Sequence, residues 1–207
     1  MPDCLFPSSN SQGIPSLLLD MQASYCDLPF VAWGTVSRKS RMPGTWHFYV
    51  DDYRFEALWK NPNRLLETGC INIVEPNFSV YQQTPPAVSN FQIYRKRWLA
   101  RYWQSKGIRI FVDLNVSKRF YEDNLTGVPD GWNAFVTRGY QDRIYALNEE
   151  RGLACAVSGS QEPLFVVYGG GKDVQIYCQD HNLIWIPDQE EVSKRVRKVK
   201  LLGNYIQ

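Results

Sequence analysis

Short apolar runs alternate with longer amphipathic stretches along most of this chain. Residues 30–33 (FVAW) form the first run, closed by Gly34, and similar runs recur at 70–74, 108–112, 132–136 and 164–167. Between them lie segments with helical spacing. These are 51–60, a turn restarted at Pro62 and closed by Gly69, 88–106 ended by Gly107, 118–124 and 141–151, with a short helix beginning near 16–22. An apolar run of four or five residues reads as a strand buried on both faces, and parallel neighbours need a crossover of about a dozen residues or more. The pattern therefore predicts an α/β fold of mostly parallel β/α units. After the three glycines at 169–171, residues 174–178 and 182–186 read as a C-terminal hairpin turning near 179–181. The stretch EEVSKRVRKVK then predicts a polar, basic helix.

Five or six strands in 207 residues fall short of a full eight-stranded barrel, which takes about 250 residues. The expectation is a reduced or incomplete barrel-like sheet, with an open twisted sheet as the alternative. Residues 1–15 are rich in Pro, Ser and Asn and read as a flexible N-terminal segment, 16–188 as one α/β domain, and 189–207 as a basic C-terminal tail.

Composition narrows the setting. The chain is 44% hydrophobic and 14% aromatic, which is enough to bury a core. Its net charge of +2 gives no global pull towards nucleic acid, so such binding has to come from local patches. Five widely spaced cysteines without a CxxC pair argue against a disulfide framework. No basic start followed by an apolar stretch opens the chain, and no apolar run approaches the roughly 18 residues that span a bilayer. The expectation is a cytoplasmic protein with no membrane association.

In parallel α/β folds, ligands bind beyond the carboxyl ends of the strands, where several loops converge. Those ends carry Glu75 with Asn77, Asp113 with Asn115, Thr137 with Arg138, and Tyr168 with Gly169–Lys172. Glu75 and Asp113 occupy equivalent places in consecutive units. As a pair they could divide acid and base roles or hold a divalent cation, with Arg138 gripping an anionic substrate. Asn77, Asn115 and Lys172 complete a substrate-binding set, and GGGK offers a weak phosphate cradle. The plain alternatives are polar residues marking strand exits and a flexible glycine turn before the hairpin.

The stretch VSNFQIYRKRWLARYWQSK interleaves bases and aromatics. Phe91, Tyr94, Trp98 and Tyr102 predict the buried stripe, and Arg95, Arg97 and Arg101 a basic face. With Arg38, Lys39 and Arg41, and with Lys194, Arg195, Arg197 and Lys198 of the tail, that face could form a track for DNA or RNA phosphates. An ordinary solvated helix face is the competing reading. Cys178 and His181 have C-x-x-H spacing, but no second ligand pair accompanies them, so no metal site is assigned. No cofactor signature appears, and a divalent cation at the carboxylate pair is the one candidate.

Three stretches carry a family likeness: EPNFSVY, IYRKRWLARYWQSKGIRIFVDLN and GVPDGWNAFVTRGY. They resemble an uncharacterised family of short proteins encoded by phages, plasmids and other mobile elements, the domain of unknown function 4417 family. Its P-[DN]-F-S, Y-R-x-R-W-L and G-[IV]-P-x-G patterns match Pro76–Ser79, Tyr94–Leu99 and Gly127–Gly131, and a strand between them matches 108–112. The likeness runs from about Glu75 to Tyr140 and continues more weakly to Gly171. It implies a mobile-element setting, a β/α-barrel-like fold and a leaning towards nucleic-acid work. The family usually has aspartate where this chain has Asn77, and an amide cannot take a proton near neutrality. Three functions follow as alternatives. One is a nucleic-acid binder. Another is an enzyme acting on a phosphate-bearing substrate through Glu75, Asp113 and Arg138. The third is an interaction module directed at a host or element-encoded protein.

Overall fold

Seven short strands, all parallel, lie side by side in the order in which they occur in the chain. They are β1 (Phe30–Ala32), β2 (Thr45–His47), β3 (Asn72–Val74), β4 (Arg109–Asp113), β5 (Ala134–Arg138), β6 (Leu164–Tyr168) and β7 (Ile184–Ile186). The computed structural model describes residues 5–34 and 41–193. Helices fill the crossovers: α1 (Ala57–Lys60) and α2 (Asn63–Leu66) before β3, α3 (Pro86–Gln104) before β4, and α4 (Tyr121–Leu125) before β5. Then come α5 (Ile144–Ser158) before β6 and α6 (Gly171–Asp180) before β7.

The sheet curls into a nearly closed barrel. β2 and β6 lie four places apart in strand order, yet the rings of His47 and Tyr168 meet with centroids 4.3 Å apart. Phe30 of β1 lies 5.6 Å from the same tyrosine. β4 sits at the stagger of the barrel: Ile110 and Phe111 pair with β3, whereas Val112 and Asp113 pair with β5.

Strand alternation divides the core. Val74, Phe111, Val136, Val166 and Tyr168 pack together inside the curl with Tyr49. Ile73, Ile110, Val112, Phe135, Phe165 and Val167 belong to a second cluster, which includes Trp98 and Leu99 of α3, Leu147 of α5, and Val174 and Cys178 of α6. Local signals set the helix ends. α3 opens on Pro86, where a missing backbone donor costs nothing. α5 stops at Gly159, whose left-handed φ of 67° closes the last turn on Cys155.

The expected C-terminal hairpin is not formed. Residues 174–178 lie inside helix α6, and β7 pairs with β6 in parallel. Val174 and Cys178 are one helical turn apart and both fully buried, so their apolar character marks one face of a helix rather than a strand. The apolar pattern of the sequence does not mark strand β2. Its three residues are all buried, and polar His47 and Thr45 broke the apolar run that would have announced it.

Candidate functional site

Because β3 and β4 are neighbours, their exits place Glu75 and Asp113 together, and the Asp113 backbone N–H donates to Glu75 Oε2 at 3.3 Å. Helix α3 crosses this point and delivers two cations. Arg97 Nη1 donates to Glu75 Oε1, Nη2 to the Asn124 carbonyl at 2.5 Å and Nε to the Thr126 carbonyl at 3.1 Å. Lys96 Nζ donates to the Asp113 carbonyl at 3.1 Å and lies 3.4 Å from Asp113 Oδ2 and 4.0 Å from Glu75 Oε2. Glu75, Asp113 and Arg97 are 0% exposed and Lys96 is 2% exposed. Two acids and two bases thus share one dry compartment, and mutual pairing offsets the cost of desolvating each. Burial lowers the Arg97 pKa, and the Glu75 carboxylate opposes that shift. The pair does not fit a divalent cation, because Lys96 and Arg97 already stand where the metal would.

Asp113 collects further donors on its outer side. Tyr49 Oη donates to Oδ1 at 2.9 Å and the Asn115 N–H donates to the same oxygen at 3.1 Å. Oriented to satisfy its neighbours, the Asn77 amide donates to Asp113 Oδ2 at 3.2 Å and to the Asn115 carbonyl at 3.1 Å, and accepts from Asn115 Nδ2 at 3.0 Å. The position the resemblance marks for aspartate is therefore a donor to Asp113 in this chain.

Above this layer opens a cavity of about 750 Å³ at the carboxyl ends of the strands. Tyr49, Asn77 and Asn115 line it, whereas Glu75 and Asp113 do not. The two carboxylates of the sequence reading are thus the foundation of the cavity rather than its wall. Arg138 does line it, with its guanidinium 5.5 Å from the Tyr140 ring centre. Arg143 lies over the same ring at 3.9 Å. With Arg54 and Lys118, these give the wall four cationic groups.

Asp51, Glu149 and Glu150 also line this cavity, and of the three acids Glu150 is the buried one. It comes from α5 and is 5% exposed, and burial, reinforced by the negative charge of Asp113, pushes its pKa up to about 8. Near neutral pH it therefore holds a proton. Burial, and then Asp113, raises the Tyr49 hydroxyl as well. His47 stacks on Phe30 with centroids 4.6 Å apart, and burial, aided by Arg138, brings its pKa down to about 3. It is a neutral packing group beneath the cavity floor.

Glu150 was missed by the sequence reading, although a signal for it existed. Leu147, Glu150 and Ala154 form the buried stripe of α5, so a carboxyl occupies an apolar helical position. Tyr49 also went unnoticed, hidden in the aromatic run that contains β2.

The basic face of α3 is turned inward. Arg95 is 6% exposed, lies 3.8 Å from the Phe78 ring centre and pairs with Glu56 at 3.0 Å. Arg97 is committed to the ion cluster, and the half-buried Arg101 lies 4.9 Å over Phe6. Conversely, Phe91 is 47% exposed although it was expected in the core. The carboxylates at the strand exits draw Lys96 and Arg97 in, while Trp98 stays in the core and Tyr94 and Tyr102 are half-buried. Arg41 is exposed. Arg38, Lys39, Lys194, Arg195, Arg197 and Lys198 lie outside the described residues. Lys172 is exposed and is not part of the cavity wall. The glycines before it start helix α6, with Asp188 packed on Gly169 and Glu191 near Gly171. Those carboxyl groups oppose an anion there. Cys178 is buried and His181 packs at a tilt against Tyr177, with centroids 4.2 Å apart. Among the described residues, no group of three or more His, Cys, Asp or Glu could hold a metal ion.

The segments that carried the family likeness interlock. Phe78 sits under Arg95, Ser79 binds Asp52 through N–H and hydroxyl at 3.0 and 2.9 Å, and Glu75 holds Arg97. Gly127 accepts from the Leu17 N–H at 2.8 Å, with Pro15 so close that any side chain would collide.

Comparison with known proteins agrees with that likeness. The family model described as Domain of unknown function (DUF4417) matches residues 6–186. The Gene 1 protein of Mycobacterium phage L5 is 35% identical over 205 residues, covering 93% of this chain and 85% of that protein. The Gene 1 protein of Mycobacterium phage D29 is 29% identical over 201 residues, covering 93% of this chain and 72% of that protein. No solved structure matches. Among the described residues, no helix is long and apolar enough to cross a membrane.

Proposed function

The chain belongs to the DUF4417 family, with phage proteins among its relatives, and on that footing we propose that it is an acid–base enzyme acting on a small phosphate-bearing substrate in the mouth cavity. The observation that carries this reading is Glu150, a carboxyl whose burial raises its pKa to about 8, in a cavity where Arg138 and Arg143 stand beside Arg54 and Lys118, the latter two paired with Asp51 and Glu149. A proton donor works best when its pKa lies near the operating pH. Arg138 and Arg143 supply planar donors for phosphate oxygens. Asp113 acts one layer below by fixing Tyr49, Asn77 and Asn115 in the wall, and Glu75 accepts from the Asp113 backbone N–H. The cavity volume falls within the range of roughly 300–1,000 Å³ typical of small-molecule sites.

Thermal unfolding in the presence of inorganic phosphate, pyrophosphate and nucleoside monophosphates tests the reading, since a ligand that binds the folded state raises Tm. A rise with phosphate-bearing probes that disappears in Arg138→Ala combined with Arg143→Ala supports it. No shift with any probe removes it.

The second reading is nucleic-acid binding. Of its residues, Arg41 is exposed, Arg101 is half-buried over Phe6, and Arg95 and Arg97 face inward, so it rests on Arg41, Arg101 and positions outside the described residues. Filter binding at two salt concentrations checks it: affinity should fall steeply with salt and weaken in Arg41→Ala.

A further inference from the structure

We propose that the rim of the mouth cavity stacks a nucleobase, so that the phosphate-bearing ligand is a nucleotide rather than a sugar phosphate or inorganic phosphate. This rests on the phosphate reading of the same cavity.

Six tyrosines line the cavity, and they divide by what their rings already touch. Tyr49 and Tyr168 are 6% exposed and stack on each other with centroids 5.8 Å apart and planes 13° from parallel. Tyr140 has one guanidinium at 3.9 Å and another at 5.5 Å. Tyr121 is half-buried among Glu150, Glu149 and Tyr145. The remaining two, Tyr81 and Tyr145, are 67% and 66% exposed. Two wide-open aromatic rings on the lip of one polar cavity form a platform on which a flat π-system can stack, and every base has such a face.

Their supports are fixed rather than loose. The Tyr81 N–H donates to Thr84 Oγ1 at 2.9 Å, and the Thr84 N–H returns to the Tyr81 carbonyl at 3.0 Å. Next to it, the Ser117 N–H donates to the Val80 carbonyl at 3.4 Å and the Ser117 hydroxyl to Gln82 Oε1 at 2.5 Å. Arg119 Nη1 donates to the Gln82 carbonyl at 3.2 Å. Tyr145 stands on the first turn of α5, and Glu149, one turn later, pairs with Lys118. The loop bearing Tyr81 and the helix bearing Tyr145 are thus both tied to residues 117–119. That common anchor ties the backbone segments carrying the two rings to one side of the cavity mouth. A backbone already fixed loses little freedom on binding, so more of the stacking energy appears as affinity.

Sugars can also lie on tyrosine faces, so the test separates base from sugar. Isothermal titration of the full chain is carried out with adenosine and uridine monophosphates, ribose 5-phosphate and inorganic phosphate. The monophosphates are expected to bind about tenfold tighter than ribose 5-phosphate, or more. Tenfold corresponds to about 1.4 kcal/mol, within the range of a single base–aromatic stack. Tyr81→Ala with Tyr145→Ala should abolish that preference and leave ribose 5-phosphate binding unchanged, while the two phenylalanine variants should retain it. Both positions are exposed, so the alanine variant is expected to fold, and its circular dichroism spectrum should match that of the parent. Equal binding of ribose 5-phosphate and the monophosphates would overturn the base assignment and leave the phosphate site standing, as would a preference that persists in the alanine variant. Failure of every phosphate compound to bind would remove both.

Discussion

Tyr49 Oη donates to Asp113 Oδ1 across 2.9 Å and so links the cavity wall to the buried charge cluster beneath it. Through this bond, a change inside the cluster reaches the cavity without any residue crossing the space between.

Tyr49→Phe deletes only the hydroxyl. Asp113 Oδ1 keeps the Asn115 N–H at 3.1 Å, so no oxygen is left stranded. We expect a loss of about 0.5–1.5 kcal/mol in urea denaturation, the usual net worth of one hydrogen bond. A loss well above that would mean the ring position, too, depends on the bond.

Arg97→Met leaves the Glu75 carboxylate buried against a thioether, and such one-sided removal costs about 3–5 kcal/mol. Combining it with Glu75→Gln removes the uncompensated charge. The double variant should therefore be less destabilised than the sum of the two singles, and a double-mutant cycle reads the difference directly.

Glu150 and His47 make opposite contributions to pH dependence. The Glu150 pKa rises from 4.5 to about 8 on folding, so between those values the unfolded chain has released a proton that the folded chain keeps. Stability then falls with rising pH across that window, by on the order of 5 kcal/mol at most. Glu150→Gln should flatten this slope and make the protein more stable than the parent at pH 8. The His47 pKa drops from 6.5 to about 3, so its contribution is complete above the upper value and fades as pH falls towards the lower. Its ring resonances should stay in the neutral position throughout pH 4.5 to 8, as followed by NMR.

Gly139 follows β5 at a tight joint. An added Cβ there would come within 2.6 Å of the Gly169 carbonyl oxygen and 2.8 Å of Val174 Cγ1. Backbone cannot yield as a flexible side chain does, so Gly139→Ala should cost about 1–3 kcal/mol in denaturant. Gly152→Ala meets nothing within 4 Å and serves as the control, expected to be neutral or slightly stabilising.

Much of the parallel β/α repeat was legible because each buried strand is an unbroken apolar run and each crossover is long enough for a helix. Where polar residues sit inside a strand the pattern failed, as at Thr45 and His47, which are buried by pairing and ring stacking. Helix α6 was misread because Val174 and Ile176 alternate as well as Val174 and Cys178 recur, and only tertiary burial separates the two periods. The convergence of Glu75 and Asp113 could be foreseen from consecutive strand exits. Their partners could not, since Lys96 and Arg97 look on paper like a solvent face. Glu150 stayed hidden because it belongs to the buried stripe of a helix and not to a strand exit.

The quartet of Glu75, Lys96, Asp113 and Arg97 also constrains how this protein can vary over generations. Reversing or erasing one member leaves an odd charge sealed from water, so isolated drift at any of the four is penalised at once. Lineages can alter that quartet through coordinated replacements, passing by way of neutral intermediates, while the open tyrosines and arginines of the mouth remain free to change one at a time. Functional novelty in such a barrel is therefore cheap at the rim and slow at the foundation.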